Sequence, residues 1–233
     1  MSIAFAVPTF HPAHAHYETH AVSLPARSFT GDFYSAMSAR DGGLVFALGD
    51  VAGKGLDAAV MMVMLQEQLE RMVAERRDPR VADLIAAIHE VASEEMPSNK
   101  FATLVVGRFC SEGFVRMVNA GHTPPMILRA NGEIETIGST GPVVGLIRGS
   151  AWNVHDASLQ PGDSLVLYSD GVTEAESPEG HELGIEGVRV ALQGREDEDA
   201  TTLVRHVLDA ASKHRAGGPQ ADDTTVMVVR RTA

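Results

Sequence analysis

The hydrophobic pattern divides the N-terminal half of the chain into strand-like and helix-like stretches. Two short apolar runs, 18–26 (ETHAVSLPA) and 43–50 (GLVFALGD), are bounded by Gly, Pro or Asp and predict strands. Apolar residues then recur with helical spacing over 56–77, among strong helix formers, and predict a long helix. Asp78 stands before a proline, the chemistry of an N-cap and a first-turn proline, so a second helix is predicted over 79–96.

From residue 101 onward the apolar residues alternate with period two, which indicates strands. The predicted strands lie at 101–109, 113–120, 125–130, 133–138 and 164–171, with a tight hairpin at Asn131-Gly132. Two further helices are predicted over 184–194 and 197–214, and a closing strand over 221–231. Because this order lacks the strand–helix alternation of a parallel sheet, it predicts an α+β fold with antiparallel sheets covered by helices.

Length and composition predict one folded domain preceded by a short arm. The chain has 233 residues and is 44% apolar, enough for a full core over 19–233. Residues 1–18 contain histidines among prolines and alanines, at His11, His14 and His16, and His20 follows closely. We expect this arm to be loosely ordered or an edge strand; adventitious metal binding is the alternative.

Net charge and cysteine content indicate which partners and which cellular compartment suit the chain. A formal charge of −12 argues against nucleic acid or an anionic membrane surface, since both require a basic face. Cys110 is the only cysteine, so no internal disulfide can form and a reducing cytoplasm fits best; its apolar neighbours predict a buried thiol. The N-terminus lacks the basic region of a signal peptide, and no window approaches the roughly 18 apolar residues of a membrane span.

The stretch 44–60 (LVFALGDVAGKGLDAAV) has the glycines and lysine of a phosphate-binding loop, but the wrong spacing. A Walker A loop needs four residues between its first glycine and the Gly-Lys pair, followed by a hydroxyl residue, and here there are three and then a glycine. The looser dinucleotide pattern lacks an acidic residue at the end of a following strand. Asp50 would repel a bound anion by roughly 4 kcal/mol at 4 Å, so the loop is better suited to a cation.

Aspartates recur at the ends of predicted strands. Each one taken alone is typical of an ordinary turn or helix cap. Together they are expected to converge at one rim of packed sheets, where a cluster of carboxylates repels itself unless divalent cations bind it. Oxygen ligands without His or Cys select magnesium or manganese over zinc. The candidates are Asp32, Asp50, Asp170, Asp222 and Asp223.

Six segments occur in a fixed order between about residues 20 and 231: GDFY, GDVAGKGLDAA, NAGHTPP, GPVVGL, LYSDGVTEA and ADDTTVMVV. In this order they resemble the SpoIIE/RsbU-type serine phosphatases, a bacterial branch of the metal-dependent PP2C (PPM) superfamily. The resemblance implies an αββα sandwich, with two packed antiparallel sheets flanked by helices and a metal pair at one rim. It also implies hydrolysis of phosphoserine or phosphothreonine.

The same resemblance implies roles for particular residues. Asp32 resembles the first metal ligand of the family. Asp50 resembles the carboxylate that bridges the two ions, with the Val51 carbonyl as a further ligand. Asp170 and Asp222 resemble the remaining ligands.

Three further residues near these ligands have weaker assignments. Asp223 occupies a position that is often Asn in eukaryotic relatives, and it ranks lower as a ligand. Arg27 lies five residues before Asp32 and is a candidate phosphate clamp, because a guanidinium can engage two phosphate oxygens; a surface salt bridge is the alternative. Lys54 could contact substrate, although a solvated lysine is the simpler interpretation.

The chain departs from the family pattern at three positions. Thr30 replaces the first glycine of GGD, and Ser35 replaces the second acid of GDFYD. Ala52 stands where eukaryotic relatives place a histidine, the proposed general acid, so the sequence identifies no acid for the leaving group and solvent is one candidate.

The predicted function is that of a cytoplasmic protein serine/threonine phosphatase that uses two Mn²⁺ or Mg²⁺ ions to activate water. The resemblance implies partner-switching signalling, with a phosphorylated STAS-domain protein of the anti-anti-sigma type as substrate. The rival hypothesis is a non-catalytic binding module with the same fold. Retention of a self-repelling acidic cluster disfavours that rival.

Overall fold

The structure, a computed structural model, describes residues 14–110 and 113–233. The predicted loose arm therefore lies mostly outside the described residues, and so does His11. The elements in chain order are β1 (Tyr17–Leu24), β2 (Asp32–Ser38), β3 (Leu44–Val51), α1 (Leu56–Glu75), α2 (Val81–Glu95), β4 (Ala102–Phe109), β5 (Phe114–Ala120), β6 (Met126–Leu128), β7 (Ile134–Thr136), β8 (His155–Ser158), β9 (Ser164–Tyr168), α3 (Asp170–Thr173), α4 (Gly184–Leu192), α5 (Ala200–Arg215) and β10 (Thr224–Arg231).

The strands form two sheets in which every neighbouring pair is antiparallel. Sheet A has the order β1-β10-β9-β6-β7, and sheet B has the order β2-β3-β4-β5-β8. The chain crosses from sheet A to sheet B between β1 and β2, and it returns to sheet A with β6. This arrangement confirms the predicted α+β class with antiparallel sheets.

The alternation of side chains along β3 explains why the sheets stack. Leu44, Phe46 and Leu48 point into a core shared with sheet A, whereas Val45 and Ala47 point into a second core under α1 and α2. Both faces of the strand are buried, which is why it reads as a continuous apolar run rather than as an alternating one.

The outer face of sheet A is covered by the C-terminal helices. Val166 and Val228 of this sheet pack in one core with Leu203 and Val207 of α5. Together with α1 and α2 on the other side, these helices complete four layers and confirm the αββα sandwich. None of the helices within the described residues is long and apolar enough to cross a membrane.

Two local predictions were wrong. Asp78 does not cap α2, which begins at Val81 without a side-chain cap; Asp78 instead pairs with the buried guanidinium of Arg108. Asp41 pairs with the same guanidinium, because a buried cation needs carboxylate partners to offset its lost hydration. Cys110 is partly exposed rather than buried, since it follows the last residue of β4.

The sequence patterns did not predict three elements as such. Strand β2 has small and polar residues among its apolar ones, with the pattern DFYSAMS. Strand β8 is an exposed edge, and α3 is a single turn directly after β9. Two of these elements begin at aspartates of the candidate site: β2 at Asp32 and α3 at Asp170. A charged residue at the start of each element interrupts the apolar pattern from which strands and helices are predicted.

Candidate metal centre

Four strand ends meet at one rim of the sandwich and bring the predicted aspartates together. In sheet B, β2 begins where β3 ends, and Asp32 is directly opposite Asp50 in the register. In sheet A, β9 ends where β10 begins, with Tyr168 opposite Val226. Within each sheet, antiparallel pairing places the start of one strand beside the end of its neighbour. The hydrogen bond from Thr225 of β10 to Asp32 of β2, and the electrostatic interaction of Asp50 with Asp170 and Asp222, show that the acidic termini of the two sheets share a rim.

Asp32 and Asp50 form a cross-strand pair of like charges. Along β3, Asp50 follows Leu44, Phe46 and Leu48 on the face turned toward sheet A, so both carboxylates face the space between the sheets. Burial, followed by the charges of Asp170 and other nearby acids, raises the pKa of Asp50 to about 7. Burial and the charge of Asp50 also raise the pKa of Asp32. Such a pair is destabilising unless a cation lies between its members.

Hydrogen bonds from sheet A hold the Asp32 carboxylate in place. The Thr225 hydroxyl donates to Asp32 Oδ2 over 2.5 Å, and Ser169 hydrogen-bonds the same carboxylate. The backbone N–H of Asp32 donates to the Thr30 hydroxyl over 3.0 Å. Thr30, which replaces a family glycine, is therefore buried and shapes the entry into β2.

The backbone at Gly31 brings Asp50 and the Val51 carbonyl to a common point. A methyl group built on Gly31 would lie 3.0 Å from the Val51 carbonyl oxygen and 3.2 Å from Asp50 Oδ1. The glycine before Asp32 thus leaves room beside two oxygens that the family resemblance implies as metal ligands. The Val51 side chain itself is fully buried in the core under α1.

Asp170 opens the single turn α3 immediately after β9. Burial and the charge of Asp222 raise its pKa. Glu174, four residues later, ends this turn with its N–H donating to the Asp170 carbonyl over 2.7 Å, and burial and the charge of Asp170 raise the pKa of Glu174 as well. Glu174 is a member of the acidic group that sequence reasoning missed, although the spacing from Asp170 carried the signal.

A methyl group on Gly171 would lie 2.0 Å from the Asp223 carbonyl oxygen. Only glycine allows α3 to approach the segment before β10 this closely. The Asp-Gly pair of the LYSDGVTEA segment therefore brings Asp170 next to Asp222, in addition to making a turn.

Asp222 is paired with a lysine from the glycine-rich loop. Lys54 Nζ lies 2.9 Å from Asp222 Oδ2 and donates to the Ala221 carbonyl over 3.1 Å. Lys54 is nearly half exposed, so it remains in contact with solvent as the simpler expectation has it, but it also forms an ion pair that the sequence did not predict. Gly53 and Gly55, on either side of it, have φ values of 123° and 90°. This confirms that the glycines provide the turn from β3 into α1.

Both carboxylate oxygens of Asp223 accept hydrogen bonds from backbone N–H groups. Its Oδ1 accepts from the Ala26 N–H over 2.8 Å, and its Oδ2 accepts from the Gly31 N–H over 3.0 Å. These two bonds fix both ends of the loop that joins β1 to β2. Arg27 is exposed on that loop and lines a shallow depression together with Lys54, Asp222 and Asp223.

Ser35, another of the three departures from the family pattern, points away from this rim. It is fully buried, and its hydroxyl lies 3.5 Å from both Glu70 Oε1 and Gln66 Nε2 of α1. It alternates with Asp32 along β2 and so faces the helix layer.

The NAGHTPP segment, residues 119–125, forms hydrogen bonds beneath the rim. The Asn119 side chain accepts from the His122 N–H over 2.8 Å, and His122 Nδ1 lies 2.7 Å from the Thr103 hydroxyl. The Thr123 hydroxyl bonds the Tyr168 carbonyl, and the Tyr168 hydroxyl donates to the Pro124 carbonyl over 2.8 Å. These bonds tie the end of β5 in sheet B to the end of β9 in sheet A.

The donor set fits a hard divalent cation. The rim offers carboxylates and one carbonyl, which are the ligands that Mg²⁺ and Mn²⁺ prefer. Across residues 14–110 and 113–233, no three His, Cys, Asp or Glu side chains are gathered tightly enough to hold an ion by themselves. Magnesium commonly keeps several waters and binds through only one or two carboxylates, so neighbouring carboxylate pairs on an open rim suit it.

Residues 40–232 match the family model described as Stage II sporulation protein E (SpoIIE). Protein IcfG of Synechocystis sp. is 30% identical over 92% of this chain, and the phosphoserine phosphatase RsbU of Bacillus subtilis (strain 168) is 24% identical over 91%. The chain spans only 38% and 62% of the lengths of these two curated relatives.

Solved structures share the fold. The SiaA-PP2C domain of Pseudomonas aeruginosa has a TM-score of 0.80 at 16% identity, covering 91% of this chain and 85% of that one. The catalytic domain of the serine threonine protein phosphatase PstP, solved in complex with two manganese ions, has a TM-score of 0.69 at 17% identity, covering 94% and 99%.

Proposed function

The chain belongs to the SpoIIE family, and on that premise we propose that it is a metal-dependent protein phosphatase that hydrolyses phosphoserine or phosphothreonine. One observation carries the proposal: Asp32, Asp50, Asp170 and Asp222 come from four separate strand ends and meet at one rim. Self-repelling carboxylates serve no purpose in a core, and RsbU, a relative that is 24% identical over 91% of this chain, is a phosphoserine phosphatase. The proposal therefore rests on both the site and the family.

We assign the four aspartates and the Val51 carbonyl as ligands of two divalent ions, Mn²⁺ or Mg²⁺. Asp50 stands between Asp32 on one side and Asp170 with Asp222 on the other, which suits a bridging carboxylate. When bound, such ions supply an activated water nucleophile and neutralise the charge of the phosphoryl group. A neighbour of the same fold was solved with two manganese ions, which supports this choice of metal.

The remaining residues of the rim would bind and orient the substrate. The Arg27 guanidinium can engage two phosphate oxygens from its loop. We assign Asp223, the lower-ranked ligand of the sequence, to holding that loop, because both of its oxygens already accept backbone N–H groups. Ala52 offers no acid, so the leaving serine oxygen would take its proton from solvent at the open rim.

The openness of the rim favours a protein substrate. Asp50, Asp170 and Asp222 are each partly exposed, and Arg27 is exposed, so a phosphorylated side chain on a protein surface can reach them. The family suggests a phosphorylated STAS-domain protein and partner-switching signalling in the cytoplasm, and we propose these as the substrate class, the pathway type and the location.

The test is hydrolysis of p-nitrophenyl phosphate and of a phosphoserine peptide by the wild-type chain and by Asp50→Asn, each with Mn²⁺ and with EDTA. We expect activity only in the wild type with metal. Hydrolysis that persists both in EDTA and in Asp50→Asn would refute the metal mechanism. No hydrolysis of either substrate, or of a phosphorylated STAS-domain protein, would favour the non-catalytic binding module.

A further inference from the structure

A positively charged side chain, that of Lys54, lies among the carboxylates of the rim. Lys54 Nζ lies 2.9 Å from Asp222 Oδ2 and also donates to the carbonyl of the preceding residue, Ala221, over 3.1 Å. The same ammonium interacts electrostatically with Asp170 and Glu174. Lys54 thus faces the part of the rim that belongs to sheet A.

Both oxygens of the Asp222 carboxylate are occupied by donors from the chain. Oδ2 accepts from the Lys54 ammonium, and Oδ1 accepts from the Asp223 backbone N–H over 2.9 Å. The backbone bond is fixed by the entry into β10, whereas the lysine is a flexible side chain that is 46% exposed. A metal ion that approaches Asp222 therefore meets Lys54 as the displaceable donor.

The loop backbone dictates this placement of the lysine. Gly53 and Gly55 both have positive φ, a conformation that other residues rarely adopt, so the chain turns sharply on either side of Lys54. The turn brings the residue next to Ala221 and Asp222, which are 167 and 168 positions away in the sequence. The contact is a consequence of the fold and cannot arise from local sequence.

We propose that Lys54 is an internal counter-ion of Asp222 that a divalent cation must displace, and that it thereby weakens metal binding at this side of the centre. The inference rests on the proposed metal centre. An exposed ion pair contributes little energy, so removing the lysine is expected to tighten Mn²⁺ binding only about three- to tenfold. Repulsion between the ammonium and the arriving cation acts in the same direction.

The test is isothermal titration of Mn²⁺ into the full chain, comparing wild type with Lys54→Met and Lys54→Arg. The matched control is Lys100→Met, because Lys100 Nζ lies beside Gly53 and donates to the Ala52 carbonyl over 3.0 Å, and it pairs with no carboxylate in the part of the chain that the structure describes. We expect tighter binding in Lys54→Met, and wild-type affinity in Lys54→Arg and Lys100→Met. The advantage of Lys54→Met should shrink in high salt, because salt screens exposed charges.

Equal or weaker Mn²⁺ binding by Lys54→Met would overturn the inference while leaving the metal centre intact. Equal tightening by Lys100→Met would overturn it as well, since general charge would then be the cause. A wild-type chain that binds no Mn²⁺ would overturn both the inference and the metal centre. If Lys54→Arg bound Mn²⁺ as tightly as Lys54→Met, the role of the charge would also be contradicted. Thermal unfolding in EDTA verifies that each variant is folded.

Discussion

His122 provides a sharp test of the packing under the rim, through the pH dependence of stability. The residue is 6% exposed; its Nδ1 is bonded to Thr103, and its Nε2 has no hydrogen bond of normal geometry. Burial lowers the pKa of His122 from its ordinary value of 6.5 to about 4, and the nearby Tyr168 carbonyl opposes this only in part. Between these two pH values His122 is protonated in the unfolded chain but neutral in the folded chain.

The sign and size of the effect follow directly. The stability contributed by neutral His122 is fully present above pH 6.5 and is lost as the pH falls toward 4, because protonation then favours the unfolded chain. At about 1.4 kcal/mol for each tenfold change in proton affinity, the loss amounts to about 3 kcal/mol. The rim carboxylates act in the opposite direction: the pKa of Asp50 is raised to about 7, so acid stabilises the metal-free fold there.

Urea unfolding in EDTA at pH 7, 5.5 and 4, on wild type and His122→Asn, separates the two effects. Asparagine keeps an acceptor for Thr103 and does not titrate, so the variant should lose about 3 kcal/mol less than the wild type over this range. His155→Asn, which removes an exposed histidine, is the control. Parallel pH profiles for wild type and His122→Asn would show that His122 does not cause the loss of stability in acid.

Two further substitutions test the geometry of the rim. Gly171→Ala forces a methyl group against the Asp223 carbonyl and should cost about 1–3 kcal/mol of unfolding free energy in urea, whereas Gly138→Ala, which has open space, should be neutral. Asp223→Ala frees the loop that carries Arg27 and should raise KM for p-nitrophenyl phosphate about tenfold, the equivalent of about 1.4 kcal/mol. A loss of Mn²⁺ affinity as large as that of Asp222→Asn would show instead that Asp223 is a metal ligand.

The fold was predictable wherever a strand or helix follows one clear period. Helix α1 begins at Leu56, as predicted, because its apolar spacing is sustained over 20 residues. Strand β2 was not predicted as an element, because Asp32 and Ser35 interrupt its apolar pattern, one serving the rim and the other facing α1. The Asp78 cap failed because a tertiary partner, Arg108, outcompeted the local backbone.

The site was predictable as a list of residues but not as a set of contacts. That acidic strand ends lie side by side within each sheet follows from antiparallel pairing. The direct opposition of Asp32 and Asp50 depends on the β2–β3 register, and the bonds of Asp223 to Ala26 and Gly31 span 197 and 192 residues. Such long-range pairings leave no trace in local composition, so the roles of Asp223 and Lys54 emerge only from the fold.

Manganese anomalous scattering from crystals grown with MnCl₂ would locate the ions of the proposed metal centre. We expect two ions roughly 4 Å apart, with Asp50 between them, Asp32 and the Val51 carbonyl on one side and Asp170 with Asp222 on the other. Anomalous peaks that are absent from this rim, or that lie only at histidines elsewhere on the chain, would contradict it.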